Sequence, residues 1–257
     1  MQSEVDIYYF SGTGNTFLAV KELARRLEER HKHVRLFSIE ESDPSQIELT
    51  HTIGLAFPVA VFSTYPFVWN FIDNLPQTVG TEIFMLDTLA MFSGGIVGPL
   101  KKVLKQKGYK TIGAREIKMP SNYGRFIPNE VKKEVMISQA MREVRNYAED
   151  LFYNRAHWRR IFLLSDLMRL ISKWSKVWAA LNKRITIDTE HCAACGLCAK
   201  LCPVKNIEMG QTEHYPKLKN QCVMCMRCVA FCPKNSILYK RKQKRYAAVR
   251  VDELSEK

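Results

Sequence analysis

The chain has 257 residues, 46% of them hydrophobic and 25% charged, so it can hold one large and one small domain, each with its own core. It has no run of about 18 apolar residues, which argues against a transmembrane helix. Its N-terminus begins as a strand, without the basic and apolar regions of a signal peptide. All 8 cysteines lie between Cys192 and Cys232, a local density that favours metal ligation over disulfides. We therefore expect a cytoplasmic protein.

The formal net charge of +13 comes entirely from the C-terminal part of the chain. Residues 1–150 carry 18 basic and 18 acidic side chains, whereas residues 151–257 carry 21 basic and 8 acidic ones. A basic segment favours a docking surface for a redox partner protein or the neutralisation of a bound anionic centre. The charge run over 240–245 has no recognised nucleic-acid-binding fold around it, so we expect no nucleic-acid binding.

The first predicted elements in chain order are a strand over 5–10, a polar loop and an amphipathic helix over about 16–30. The loop reads Ser11, Gly12, Thr13, Gly14, Asn15, Thr16. Strand, loop and helix in this order place backbone N–H groups around an anion. The loop lacks the lysine of a Walker loop, and Phe17 stands where a Rossmann fingerprint has glycine. A phosphate loop with neutral donors and a helix cap without a ligand remain, and the run of small polar residues favours the first.

With its flanking strand and helix, this loop resembles the FMN-phosphate loop of flavodoxins. Further strands are predicted near 33–38, 52–57, 82–88 and 111–117, and helices near 64–74, 98–107 and 129–152. They agree with a doubly wound, parallel, five-stranded α/β sheet in the flavodoxin-like order 2-1-3-4-5, in a domain over residues 1–152.

The resemblance to flavodoxins implies an FMN site at the carboxyl ends of the central strands. Two further loops would flank the isoalloxazine ring, and their candidate residues are Pro58, Val59, Ala60, Phe92, Ser93, Gly94 and Gly95. Ala60 and Val61 stand where flavodoxins often have an aromatic or polar residue. The ring-stacking aromatic would be Phe92 or Tyr123, and the sequence does not choose between them.

A connector over residues 153–184 is predicted to be one amphipathic basic helix with tryptophans. Its apolar side consists of Ile161, Leu164, Met168, Ile171, Trp174, Trp178 and Leu181. We expect this side to pack against the protein's own domains. Attachment of residues 155–183 to an anionic membrane surface is an alternative that the sequence does not favour, and a partner-protein groove is another.

The cysteines form two runs of the pattern CxxCxxCxxxCP, one from Cys192 to Pro203 and one from Cys222 to Pro233, repeated after 30 residues. In this pattern the fourth cysteine of each run ligates the other cluster. One [4Fe–4S] cluster is thus expected on Cys192, Cys195, Cys198 and Cys232, and a second on Cys222, Cys225, Cys228 and Cys202. Zinc sites have no reason for a third cysteine at this spacing. Residues 185–240 resemble bacterial two-cluster ferredoxins, a small α+β domain, and 241–257 form a charged tail.

Together the two parts resemble the flavodoxin–ferredoxin fusion proteins of anaerobes. The resemblance implies an electron carrier that links FMN, two [4Fe–4S] clusters and an external redox partner, without catalytic residues of its own. An alternative is a flavin-dependent reductase of a small substrate, with a pocket built by loops near 58–70 or 119–130. No nicotinamide-binding module is visible in the sequence.

Overall fold

The computed structural model describes residues 1–92, 94–158, 165–173, 175–182, 184–212, 214–242 and 244–255. Several residues of the sequence predictions lie outside these ranges: Ser93, Ile161, Leu164 and Trp174. No helix among the described residues is long and apolar enough to cross a membrane.

The larger part of the chain is built on a parallel five-stranded sheet in the order β2-β1-β3-β4-β5. Its strands are β1 (Glu4–Tyr9), β2 (His33–Ser38), β3 (Thr52–Pro58), β4 (Glu82–Leu89) and β5 (Lys110–Lys118). The central strands β1, β3 and β4 are apolar and buried along almost their whole length because helices cover both faces. The predicted doubly wound sheet and its strand order are confirmed.

Helices α1 and α4 pack on one face of the sheet, and α2 and α3 pack on the other. Their bounds are α1 (Asn15–Glu28), α2 (Pro66–Asp73), α3 (Val97–Gln106) and α4 (Glu130–Phe152). The residues that α1 buries recur at helical spacing, among them Phe17, Val20, Leu23 and Leu27. The sheet thereby holds the loops after β1, β3 and β4 at one edge, where parallel strands end.

The connector contains two described helices, α5 (Ser165–Lys173) and α6 (Ser175–Asn182), whereas one helix was predicted. Residues 155–158 are not helical. Trp158 instead enters the core beside α3, where its indole N–H donates to the Val97 carbonyl at 2.8 Å. Trp178 is buried against Tyr65, with 6.1 Å between ring centroids. Ile171, predicted to be buried, is exposed.

The C-terminal part is a small α+β unit with an internal repeat. It contains β6 (Ile185–Ile187), α7 (Leu197–Lys200), β7 (Ile207–Met209), β8 (Pro216–Leu218), α8 (Arg227–Phe231) and β9 (Ile237–Tyr239). β6 pairs antiparallel with β9, and β7 with β8. The repeat extends to the backbone. Ala194 and its equivalent Met224 both have positive φ. Gly196 and Met226, which directly precede α7 and α8, also both have positive φ. Equivalent turns therefore present the two cysteine runs.

Candidate cofactor and metal sites

The loop between β1 and α1 is folded on the hydroxyl group of Ser11. Its Oγ accepts hydrogen bonds from the backbone N–H of Gly14 and of Phe17, both at 3.2 Å. Gly14 has φ of 99°, a left-handed conformation that a residue with a Cβ adopts only at a cost. Ser11, Thr13 and Thr16 are buried although all three are polar. The loop is therefore a fixed, buried turn that leads into the N-terminus of α1.

This loop leaves backbone donors available for an anion. Among the described residues, the N–H groups of Gly12, Thr13, Asn15 and Thr16 have no protein acceptor. Two carbonyls of the loop are engaged on its other side, since Ser11 O accepts from the Arg227 guanidinium and Thr13 O accepts from the Ala248 N–H. Unpaired amides at a helix N-terminus are the donor set that binds phosphate. The loop thus fits a phosphate group.

A cavity adjoins the loop at the carboxyl ends of β1, β3 and β4. Its lining includes Ser11, Gly12, Thr13, Asn15, Thr16, Pro58, Val59 and Tyr123. A larger open cavity of about 1130 Å³ continues from it and is lined by Ala60, Phe92 and Tyr123, among others. The two cavities share Val59, Leu89, Ala90, Ser121 and Tyr123. In the flavodoxin-like strand order, FMN lies at the β1/β3 switch point, which is where these cavities lie.

Three of the predicted FMN-binding residues do not line the two cavities, and their contact with FMN stays a prediction. Gly14 faces the C-terminal tail, where a Cβ would lie 2.7 Å from a side-chain carbon of Val249. Gly94 and Gly95 are covered by α5, and a Cβ on either would collide with Met168 or Arg169. The amides of both donate to the Phe62 carbonyl and so fix the neighbouring loop. None of the three lines the cavities, because each is needed for close packing of the backbone behind them.

The two candidate stacking aromatics both line the open cavity but differ in their surroundings. Tyr123 lines both cavities, packs on Tyr239 with ring centroids 6.0 Å apart, and donates its hydroxyl to the Met224 carbonyl at 2.7 Å. Phe92 lines the open cavity alone and is 47% exposed. The fixed position of Tyr123 favours it as the stacking residue.

The eight cysteines converge in two groups. Cys192, Cys195, Cys198 and Cys232 surround one small cavity, and Cys202, Cys222, Cys225 and Cys228 surround another. In each group the fourth cysteine comes from the other run, as the sequence pattern predicts. None of the eight is in a disulfide. The donor sets are four sulfurs each, the ligand set of a [4Fe–4S] cluster.

The two cysteine groups differ in exposure. Cys195 is exposed in the first group, whereas Cys225 is buried in the second. Backbone N–H groups donate to the sulfurs of Cys192, Cys202, Cys222 and Cys232 at 3.1–3.4 Å. Burial raises the pKa of the Cys198 thiol to about 11 and that of Cys225 to about 12. Because a ligand must be a thiolate, iron has to displace these protons when it binds.

The phosphate loop and the second cysteine group are in direct contact. A methyl group placed on Gly12 would lie only 2.2 Å from the Cys225 carbonyl oxygen. Arg227 bridges the same two segments: its guanidinium donates to Ser11 O at 2.7 Å, pairs with Glu40 at 2.6 Å and lies over the Phe10 ring. These contacts hold the loop and the inner cysteine segment against each other.

The C-terminal tail also contacts the loop, through residues that follow the exposed charge run. Tyr246 is buried and donates to the Asn15 side-chain oxygen at 2.6 Å, and the Ala248 N–H donates to Thr13 O at 2.7 Å. Neither the contacts of the tail nor those of Arg227 were predicted from the sequence. The feature of the sequence that could have indicated packing of the tail is the apolar stretch with Tyr246 and Val249, directly after the basic run.

A doubly wound domain with a phosphate loop, joined to two four-cysteine centres, defines an electron-transfer protein. Residues 191–237 match the family described as "4Fe-4S dicluster domain". A ferredoxin of Pyrobaculum islandicum is 31% identical over 55 residues, which are 21% of this chain and 51% of that protein. The chain thus spans about half the length of this relative. Residues 191–237 therefore form an iron–sulfur domain of the ferredoxin type.

Solved structures similar to the larger domain include two flavodoxins. One, described as from the domain Archaea, has a TM-score of 0.41 and 12% identity, and the match covers 58% of this chain and 99% of that one. Flavodoxin 2 from Bacillus cereus has a TM-score of 0.47 and 15% identity, with 58% and 98% covered. The flavodoxin-like assignment of this domain rests on its own strand order.

Proposed function

We propose that the protein carries electrons between an external redox partner, two [4Fe–4S] clusters on its eight cysteines, and FMN at the Ser11–Thr16 loop. The observation that carries the proposal is the position of Met224, which lines both the second cysteine cavity and the open cavity beside the phosphate loop. When bound, FMN can exchange one or two electrons, whereas each cluster exchanges one. The three cofactors together therefore suit conversion between two-electron and one-electron transfer.

Cys192, Cys195, Cys198 and Cys232 would hold the outer cluster, and Cys202, Cys222, Cys225 and Cys228 the inner cluster. Cys195 at the surface supports exchange with a partner protein at the outer cluster. Buried Cys225, in contact with Gly12, supports exchange with the flavin at the inner one. The order of transfer is therefore partner, outer cluster, inner cluster and flavin, in either direction.

The remaining residues would hold these centres at a fixed separation. Arg227 ties the inner cysteine loop to Ser11 and Glu40, and α6 places Trp178 on Tyr65. Burial of Trp158 and Trp178 supports packing of the connector on the protein itself over a membrane-bound role for residues 155–183. The proposal includes two domains, at 1–152 and 185–240, and a cytoplasmic location. It includes no nucleic-acid partner.

Removal of the outer cluster tests the order of transfer. Cys232→Ser, prepared anaerobically and loaded with FMN, is mixed with a reduced two-cluster ferredoxin as the protein donor. We expect FMN reduction at least about tenfold slower than in the wild type, whereas photoreduction of FMN by a small deazaflavin is unchanged. Iron analysis verifies that the inner cluster remains. An unchanged rate with the protein donor would contradict the order, and failure of the wild type to take up FMN would contradict the flavin site.

The open cavity favours a second candidate, a flavin-dependent reductase of a small substrate. Its volume of about 1130 Å³ includes the space that the isoalloxazine ring would take, and the cavity continues past the flavin loops along α4. A cavity that continues beyond the flavin loops supports a site for a small substrate.

A further inference from the structure

The open cavity extends well beyond the loops that would surround a flavin. One of its sides is a single face of α4, formed by Lys132, Met136, Gln139, Ala140 and Glu143, which recur every three or four residues. At 1.5 Å per residue, this face runs for roughly 16 Å. Ala60, Phe62 and Phe92, from the loops after β3 and β4, also line it. The space is therefore a groove between α4 and the flavin loops, with room for a second molecule.

The groove carries an excess of positive charge. Lys118, Arg125, Lys132 and Arg184 line it, against the single carboxylate of Glu143. Within the described part of the chain, none of the four cations forms an ion pair, whereas other surface arginines such as Arg30 and Arg115 are paired. The four come from β5, the following loop, α4 and the segment before β6, so the fold gathers them from separate places. Such a convergence favours an anion, and guanidinium groups suit carboxylate or phosphate.

The rest of the rim is aromatic and exposed. Phe62 is 47% exposed, Phe92 47% and Phe126 59%, and all three line the groove. Exposed aromatic side chains around a concave site provide an apolar contact surface for a ligand. Their charged neighbours would then hold the polar end of the same ligand.

The turn that presents Phe62 is strained. Val61 and Phe62 both have positive φ, 48° and 63°, between Ala60 and Ser63, whose backbones exchange two 2.9 Å hydrogen bonds. Each such non-glycine residue costs on the order of 1–3 kcal/mol and persists only where the surroundings impose it. The Gly94 and Gly95 amides impose it here by donating to the Phe62 carbonyl. Strain of this kind concentrates at binding sites.

We propose that this groove binds a small organic anion, an aromatic or otherwise apolar molecule with a carboxylate or phosphate group, next to the flavin. The anionic group would contact Arg125 and Arg184, and the apolar body would lie against Phe62, Phe92 and Phe126. The position of this ligand relative to the flavin rests on the function proposed above, whereas the groove itself is independent of it.

The test measures ligand binding rather than turnover. The protein loaded with FMN and both clusters is titrated anaerobically by calorimetry with cinnamate and phenyl phosphate, and with neutral cinnamamide as the ligand control. We expect at least one anion to bind about tenfold or more tightly than the amide, a difference of about 1.4 kcal/mol. The double variant Arg125→Gln/Arg184→Gln should lose that preference.

A matched variant removes the same charge elsewhere. Arg142→Gln/Arg241→Gln changes two exposed arginines that do not line the groove and should retain the preference. Equal binding of anions and amide, no binding of any of them, or equal losses in both variants would overturn the proposal. The FMN spectrum of the same samples separates the failures. Lack of FMN with the anion preference retained overturns the proposed function and the position next to the flavin but not the groove, whereas bound FMN without anion binding overturns this inference alone.

Discussion

The Tyr123 hydroxyl donates a 2.7 Å hydrogen bond to the backbone carbonyl of Met224. Tyr123 lines the cavities of the larger domain, and Met224 lies between Cys222 and Cys225 in the ferredoxin-type domain. One bond thus joins the candidate flavin site to the loop of the inner cysteine group. Burial raises the pKa of Tyr123, so its hydroxyl remains a donor through neutral and mildly alkaline pH.

Replacement of this tyrosine tests the connection. Tyr123→Phe keeps the ring but leaves a carbonyl unpaired, so we expect a loss of about 1 kcal/mol in the free energy of unfolding and slower transfer between flavin and clusters. The control is Tyr109→Phe, which removes a similar bond to the Pro76 carbonyl in another part of the domain. Chemical denaturation and stopped-flow spectroscopy measure both effects. Equal rates of transfer in the two variants would refute the role given to Tyr123.

The crossed arrangement of the cysteines predicts which cluster each substitution removes. Cys202→Ser should damage the centre of the second run, and Cys232→Ser that of the first, because each fourth cysteine lies in the other cavity. Each variant should retain about four of about eight irons per chain. Iron and sulfide analysis with electron paramagnetic resonance checks this. Stoichiometric zinc without sulfide in the wild type would exclude clusters altogether.

The phosphate loop predicts a preference for FMN over riboflavin. Thr13→Ala/Thr16→Ala removes two buried hydroxyls at the loop, and we expect FMN affinity to fall about tenfold or more with little change for riboflavin. Thr78→Ala/Thr81→Ala is the matched control, because those two hydroxyls form a 2.6 Å pair away from both cavities. Fluorescence titration of the flavins gives both affinities. Equal affinity of the wild type for riboflavin and FMN would contradict a phosphate site.

The contact between Gly12 and Cys225 predicts a steric effect. Gly12→Ala places a methyl group 2.2 Å from the Cys225 carbonyl, so the loop and the inner cysteine segment must separate. We expect weaker FMN binding and an altered spectrum of the inner cluster. Gly80→Ala is the control, since its new methyl meets nothing and costs only the strain of φ +88°, about 1 kcal/mol. Unperturbed cofactors in Gly12→Ala would show that the two segments do not touch.

The connector predicts different effects for buried and exposed side chains. Trp178→Ala should lower the free energy of unfolding by about 3–5 kcal/mol, because Trp178 is buried and bonded to the Ser172 carbonyl. Leu170→Ala, at a side chain that is 63% exposed, should change it little. Thermal unfolding checks both. Salt-sensitive binding of the wild type to anionic vesicles, lost in Leu170→Ala, would instead support membrane attachment.

The sequence alone determined the features that depend on local pattern. Apolar runs and amphipathic spacing located the strands and helices of the sheet, and the duplicated CxxCxxCxxxCP pattern predicted the crossed grouping of the cysteines. The Ser11–Thr16 loop could be predicted as a phosphate site because a phosphate-binding turn needs small and polar residues in consecutive positions. The strands, helices and loop depend on near neighbours in the chain, and the crossed cysteine grouping follows from a repeated pattern, so the sequence displays both.

Tertiary structure decided how the two domains meet and which side chains line the space between them. Distant segments pack together to bring Arg227, Tyr246 and the N-terminal half of α4 to the candidate sites. Tyr246 and Asn15, for example, are 231 residues apart. The connector shows the same limit: helical spacing identified an apolar side, but the exposure of Ile171 and the burial of Trp158 depend on the surfaces that face them. Burial is a property of two surfaces, and the pattern of one segment specifies only one of them.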